Sequence, residues 1–174
     1  MNVFKIVLLI SFLSISSVVV AQNNTPMVDV ENCKIVQNDL FLDGKLYASA
    51  PPILLRVYNE NFEYSVVQLG KRKRSIYLYF KIFTDNVCVK HKQPLEIYFT
   101  TGEKYVLKNS FSVNCEGTAV VRLTNKDFDV LVEKSIGSFK FFTLKKDYEF
   151  RPTIKENNNF KAYLKCLKVY KIEK

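Results

Sequence analysis

Alternating apolar and polar positions predict that most of this chain forms β-strands. The clearest alternation spans residues 75–84, where Ile76, Leu78, Phe80 and Ile82 share one face and Tyr77, Tyr79, Lys81 and Phe83 share the other. Because mainly aliphatic side chains line one face and mainly aromatic ones the other, we expect this strand to be central and covered in part on both faces. Similar runs predict further strands over residues 53–58, 63–69, 95–100, 104–107, 119–123, 138–144 and 148–150.

Turn-forming residues separate these runs. Asp43 and Gly44 lie between two short apolar groups, which predicts a hairpin with a type I′ turn. Gly102 lies in the connection between the predicted strands at 95–100 and 104–107, where glycine readily supplies the positive φ of a tight hairpin.

One helix is predicted directly after the strand at 119–123. Thr124 and Asp127 have the spacing of a capping box with an acidic third residue, and Leu123 and Phe128 have the spacing of a hydrophobic staple. The apolar positions that follow keep helical spacing. We expect the helix to end near Ser135, because a glycine and a strand-like run come next.

The segment from Asn157 to Lys174 fits two patterns. Helical spacing places one apolar side of the segment at Phe160, Tyr163, Leu164, Leu167 and Tyr170, and a basic stripe at Lys161, Lys165 and Lys168. The tail from Val169 onward also alternates like an edge strand. The pattern therefore predicts a helix that stops near Lys168, with a strand as the alternative for the tail.

The order of these elements favours one fold class. Many strands with short connections indicate antiparallel pairing. We therefore predict one α+β, mainly β domain over residues 33–174, built as an antiparallel strand meander or a sandwich-like sheet. One or two helices late in the chain should pack on one face or end of the sheet.

The first 21 residues predict a cleavable export signal. Lys5 precedes an apolar run, and Val19 and Ala21 occupy the third and first positions before Gln22, as signal peptidase requires. The run is shorter than the roughly 20 residues of a spanning helix, although an uncleaved anchor is the alternative. Cleavage after Ala21 would give a secreted or periplasmic protein whose residues 22–32 form a flexible leader.

Four cysteines remain after such cleavage: Cys33, Cys88, Cys115 and Cys166. In an oxidising compartment an even number of cysteines favours disulfides over free thiols. Four cysteines allow three pairings, and the sequence does not choose among them. Cys88 with Cys115 is preferred because both flank a hairpin-like unit, and this choice pairs Cys33 with Cys166.

The charge is strongly positive. The chain has 26 basic and 17 acidic residues, a net charge of +9, and loss of Lys5 with the signal leaves +8. Four consecutive basic residues, Lys71, Arg72, Lys73 and Arg74, follow Gly70 between two predicted strands, so we expect a tight loop that presents four charges. With Lys161, Lys165 and Lys168 they are the candidate anion-binding residues. The alternatives are a solvated turn that keeps strand edges apart and a dibasic cleavage site.

Enzymatic chemistry finds little support in the sequence. The chain has no serine-hydrolase elbow, zinc-protease helix, phosphate loop or EF-hand loop. Its single histidine, His91, lies between two lysines, and the spacing Cys88-x-x-His91 lacks a second pair of zinc ligands. We therefore predict no metal or cofactor. The remaining catalytic candidates are a Cys-His pair and scattered carboxylates at Glu96, Glu103, Asp127 and Glu149.

Three functions remain as hypotheses. The first is a small non-enzymatic binding module whose basic surface meets an acidic partner such as an envelope lipid, an acidic polysaccharide or a nucleic acid. The second is a structural or protein-interaction domain without a specific ligand, in which the charge serves solubility. The third is a secreted hydrolase, which needs a free thiol or a carboxylate with a perturbed pKa.

Overall fold

The computed structural model describes residues 33–42, 45–56, 63–84 and 87–173, without the side chains of residues 38–42 and 45. The predicted export signal, the predicted leader and the turn at Asp43 and Gly44 lie outside the described residues. Within the described ranges the fold is α+β and mainly β, as predicted. The elements are β1 (Val36–Leu42), β2 (Lys45–Ser49), β3 (Ile53–Arg56), β4 (Tyr64–Arg72), β5 (Ser75–Phe83), β6 (Pro94–Phe99), β7 (Lys104–Lys108), β8 (Thr118–Leu123), α1 (Asn125–Glu133), β9 (Ile136–Phe142), β10 (Asp147–Phe150) and α2 (Ile154–Val169).

The strands form two antiparallel sheets. One sheet has the order β1-β2-β4-β5-β8, with β3 also paired to β4, and the other has the order β10-β9-β6-β7. The sheets meet through aromatic side chains: the ring centroid of Phe80 on β5 lies 5.3 Å from that of Phe141 and 5.7 Å from those of Phe139 and Phe150. The core therefore lies between the sheets, as in a sandwich.

Strand β5 is central, as its two-faced pattern predicted. It pairs with β4 on one side and β8 on the other. One face is fully buried and carries Ile76, Leu78, Phe80 and Ile82. Tyr77, Tyr79 and Lys81 on the opposite face are half-buried, which confirms that cover on this face is partial.

Helix α1 begins where the capping box predicted. The Thr124 side chain accepts a hydrogen bond from the Asp127 amide, and the Asp127 carboxylate accepts one from the Thr124 amide at 2.7 Å. These contacts satisfy two of the amide groups that a helix start leaves without partners.

Helix α2 begins three residues before the expected Asn157. Thr153 and Glu156 form a second capping box at its start, a signal that the periodicity analysis missed. The edge-strand alternative for the tail is wrong, because the Tyr170 amide closes the last helical turn onto the Cys166 carbonyl and residues 170–173 have no strand structure. The helix packs against α1, β3 and β4, and α1 contacts β8, so both helices lie against the six-stranded sheet.

Asn157 joins α2 to the start of β9. This buried amide accepts a hydrogen bond from the Ile136 amide at 3.0 Å and donates one to the Ile136 carbonyl at 2.5 Å. The Asn157 side chain therefore satisfies both the amide and the carbonyl group of Ile136, as a neighbouring strand would otherwise do.

Replacing Asn157 with Ala is expected to lower the free energy of unfolding by about 2–4 kcal/mol, because it leaves two buried backbone groups unpaired. Asn158→Ala is the matched control on the same helix, since Asn158 is exposed, and it should change stability by less than about 0.5 kcal/mol. Urea unfolding of both variants measures the difference. Equal effects would show that the Asn157 contacts contribute nothing.

Both disulfides are present, in the preferred pairing. Cys33 is joined to Cys166 and Cys88 to Cys115. The first crosslink ties the start of the described domain to α2 across 133 positions, and the second closes a loop of 27. Disulfides of this kind indicate an oxidising environment. Neither described helix has the length and apolarity that a bilayer crossing requires.

Candidate functional site

The basic run does not form the expected four-residue loop. The β4–β5 ladder continues to the pair Arg72 and Ser75, so only Lys73 and Arg74 form the turn. Lys73 adopts a φ of +54°, which such two-residue hairpin turns require. The prediction of four solvated charges is wrong because strand pairing carries Lys71 and Arg72 into the sheet, where Lys71 is only 9% exposed.

Lys71 contacts the end of α2. Its ammonium group donates hydrogen bonds to the carbonyl oxygens of Lys168 at 3.2 Å and Tyr170 at 2.6 Å. Carbonyls at the end of a helix carry partial negative charge, so they are suitable partners for a buried cation. Burial lowers the pKa of Lys71, and the nearby charge of Lys168 lowers it further. An ammonium has three donors, and the two carbonyls use two of them.

These contacts form one wall of a cleft of about 320 Å³, here called the basic cleft. The β4–β5 turn, the start of α1 and the end of α2 surround it. Of the eleven described residues that line it, none is acidic and five are basic: Lys71, Lys73, Arg74, Lys168 and Lys171. The other lining residues are Ile76, Leu123, Thr124, Asn125, Phe128 and Tyr170.

The start of α1 also borders the cleft, where the carboxylate of Asp127 offsets the positive end of the helix dipole. Thr124 and Asn125 lie at the positive end of the helix dipole, and both line the cleft. Lys168 crosses from α2 to this helix: its ammonium lies 3.3 Å from the Asn125 side-chain oxygen and 4.7 Å from the centre of the Phe128 ring. The carboxylate of Asp127 is already engaged, by the Thr124 amide and hydroxyl and by the Tyr105 hydroxyl.

Two further contacts hold the C-terminal wall in place. The Cys33–Cys166 disulfide anchors the last turns of α2. The Gln37 side chain donates to the Glu173 carbonyl at 2.8 Å and accepts from the Glu173 amide at 3.0 Å. Lys171 lies between these anchors, so its backbone is held beside the cleft.

The structure brings only part of the predicted basic set together. Lys71, Lys73, Arg74 and Lys168 share the cleft. The other three predicted residues lie elsewhere: Arg72 packs over the Tyr77 ring, Lys161 donates to the Glu133 carbonyl and the Ser135 hydroxyl at the end of α1, and Lys165 is exposed on α2. The predicted lysine stripe is therefore not a single binding face.

Lys171 and the start of α1 were not among the predicted site residues. Lys171 follows the predicted end of the helix, Thr124 was assigned only a capping role, and Asn125 had no assigned role. Residues 140–174 contain ten basic and four acidic residues, but no local pattern places Lys171 beside the β4–β5 turn.

A second cleft shows what distinguishes the basic one. It has a volume of about 420 Å³ and lies on the outer face of the four-stranded sheet. Lys140 and Arg151 line it together with Glu149, which accepts hydrogen bonds from the Arg151 guanidinium at 3.1 Å. Each of its two cations has a carboxylate partner, Glu149 in the wall for Arg151 and nearby Asp147 for Lys140, whereas no acidic residue lines the basic cleft.

The catalytic candidates have structural partners. Glu96 binds Tyr98 and Lys104, Glu103 binds Lys134, Asp127 caps α1, and Glu149 binds Arg151. Cys88 and Cys115, the two cysteines considered as partners of His91, are joined to each other, so neither supplies a thiolate nucleophile or a zinc ligand. His91 is exposed, and its ring nitrogen lies 3.1 Å from the Phe111 carbonyl oxygen.

No protein-family model, curated protein or solved structure matches this chain.

The hydrogen bond between Tyr105 and Asp127 at the start of α1 leads to a prediction about alkaline pH. Burial, followed by this 2.6 Å bond, raises the pKa of Tyr105 to about 12. The unfolded chain loses the same proton near pH 10, so the free energy of unfolding should fall as pH rises from about 10 to about 12. Tyr105→Phe should make this fall shallower, measured by urea unfolding across that range. An unchanged pH profile would contradict the assignment.

Proposed function

We propose that this protein is an exported, non-enzymatic binding module that takes an anionic group of an acidic partner into the basic cleft. The observation that carries the proposal is the convergence of five cationic side chains with no acidic lining residue. Because their charges are not neutralised within the wall, an anion entering the cleft gains attraction from all of them.

The position of Lys71 supports binding of a discrete anionic group. Its ammonium lies at the wall of the cleft with two donors directed to carbonyls, so the third can serve a ligand oxygen. Phosphate, sulfate and carboxylate groups share this chemistry, and charge-assisted hydrogen bonds to them are stronger than neutral ones.

The size of the cleft indicates how a larger partner would bind. A volume of about 320 Å³ accommodates one small group with its immediate attachment, and a polymer chain would have to continue outside. Lys73, Arg74 and Lys171 are exposed at the rim, where they can contact further charges along the partner. Envelope lipids, acidic polysaccharides and nucleic acids all present such repeated groups.

Export agrees with the covalent structure. All four cysteines are used in two disulfides, as expected of a protein that matures in an oxidising compartment. The first 21 residues have the pattern of an export signal. We expect the protein to be cleaved after Ala21 and released into the periplasm or the medium.

Intact mass of the exported protein tests this route. We expect a chain that begins at Gln22 and contains two disulfides, so that a denatured, non-reduced sample incorporates no alkylating reagent. A mass that retains the first 21 residues would refute cleavage, and alkylation of two or four thiols would refute the disulfide framework.

Salt-dependent binding tests the cleft. The double variant Lys73→Asn, Arg74→Gln removes two rim charges, and asparagine tolerates the positive φ of position 73. Affinity for a polyphosphate or sulfated polysaccharide probe should fall about tenfold, and the slope of log K against log salt should decrease by about 2. Fluorescence titration at several salt concentrations measures both quantities.

Lys155→Gln, Lys165→Gln is the control pair. Both lysines are exposed on α2 and absent from the cleft, so this variant has the same net charge as the test variant. Equal losses in the two variants would refute a localised site and leave only general charge attraction. Parallel titrations with single-stranded DNA and with anionic lipid vesicles identify which source of anionic groups binds best, and binding to none of the probes would favour a structural or protein-interaction domain.

A further inference from the structure

Three exposed apolar side chains cluster at the end of the molecule opposite the basic cleft. Phe111 is 47% exposed, Val113 is 64% exposed and Leu144 is 55% exposed. Each belongs to a segment between regular elements, the first two between β7 and β8 and the third between β9 and β10. These three residues are here called the apolar tip.

Backbone pairing brings the segments together. The Val89 amide donates to the Asn114 carbonyl at 2.7 Å, and the Leu144 amide donates to the Cys88 carbonyl at 3.4 Å. Segment 88–89 therefore lies between the other two segments, which places the backbones of Asn114 and Leu144 about two strand spacings, or roughly 10 Å, apart. The Cys88–Cys115 disulfide crosslinks the same region.

Strand pairing also shows that the tip and the cleft lie at opposite ends. Strand β8 starts at Thr118, opposite Lys81, just after the tip segment, and it ends at Leu123, opposite Ile76, beside the cleft. Five residues of extended chain separate these ends by about 17 Å. A ligand bound at one end therefore does not cover the other.

Positive charges surround the apolar tip. Lys90 and Lys92 are exposed in the turn that contacts Phe111 through His91, and Lys145 is exposed next to Leu144. Lys146 pairs with the buried carboxylate of Glu63. The exposed carboxylate of Glu116 gives one negative charge against three positive ones in these segments.

We propose that the apolar tip docks on the surface of an anionic lipid membrane. Exposed side chains on chain turns can enter the interfacial layer of a bilayer without a complementary pocket, and lysines beside them are attracted to anionic headgroups. The three apolar residues provide the inserted group, and Lys90, Lys92 and Lys145 provide the attraction. The basic cleft then faces away from the membrane and stays accessible.

Vesicle co-sedimentation of the disulfide-bonded exported protein tests this docking. The probes are vesicles of phosphatidylcholine alone and of phosphatidylcholine with phosphatidylglycerol. We expect binding to the mixed vesicles at least fivefold stronger than to the neutral ones. The variant Phe111→Ser, Val113→Ser should weaken it at least fivefold, as should Lys90→Gln, Lys92→Gln.

Matched controls separate the tip from general surface properties and from the cleft. Ile154→Ser removes an apolar side chain that is 83% exposed at the start of α2, and Lys155→Gln, Lys165→Gln removes two exposed lysines from that helix. Neither should change vesicle binding by more than about twofold, since neither position belongs to the tip. Near-ultraviolet circular dichroism checks that each variant keeps its packing.

Several results would overturn the docking proposal. They are equal binding to both kinds of vesicle, no binding to either, or unchanged binding after loss of Phe111 and Val113. Loss of vesicle binding only in the variant Lys73→Asn, Arg74→Gln would assign lipid binding to the cleft instead. Because the variant Lys73→Asn, Arg74→Gln tests the cleft and the variant Phe111→Ser, Val113→Ser tests the tip, either proposal can fail without the other.

Discussion

The contact between the Lys71 ammonium and the last carbonyls of α2 links the six-stranded sheet to the C-terminal segment. The sheet supplies a lysine that strand pairing carries beneath the end of the helix, and the helix supplies two carbonyls, those of Lys168 and Tyr170. Removing a charge from water is costly unless hydrogen bonds and opposite partial charge replace the lost solvation, and the helix end provides both. The contact also sets the position of Lys168 and Lys171 relative to the β4–β5 turn.

The covalent structure supports this contact from both sides. The last carbonyls of a helix lack partners within the helix, so its final turn depends on outside contacts. The Cys33–Cys166 disulfide and the two hydrogen bonds between Gln37 and Glu173 hold the segment against β1, while α2 packs on β3 and β4. The cleft is therefore a product of tertiary packing among segments from both ends of the described chain.

Charge is distributed unevenly along the long axis of β5. At one end five cations face a cleft that no lining acid neutralises, and at the other end lysines surround exposed apolar side chains. Elsewhere charges of opposite sign pair locally, as Glu103 does with Lys134 and Glu149 with Arg151. A positive net charge alone does not distinguish these regions of the surface, whereas the distribution of the charges does.

Features that depend on neighbours a few residues apart can be read directly from the sequence. The alternation of β5, the capping box at Thr124 and the glycine turn at Gly102 arise from local geometry, and the structure contains all three. The site depends instead on long-range packing, because Lys71 meets the carbonyls at the end of α2 across 97 and 99 positions of chain. Lys161, grouped with Lys168 by helical spacing, contacts the other end of α1 instead, because two turns of α2, about 10 Å, separate the two lysines. Helical spacing predicts which residues lie on the same side of a helix. Which of those residues share a cleft depends on the other elements that pack against the helix.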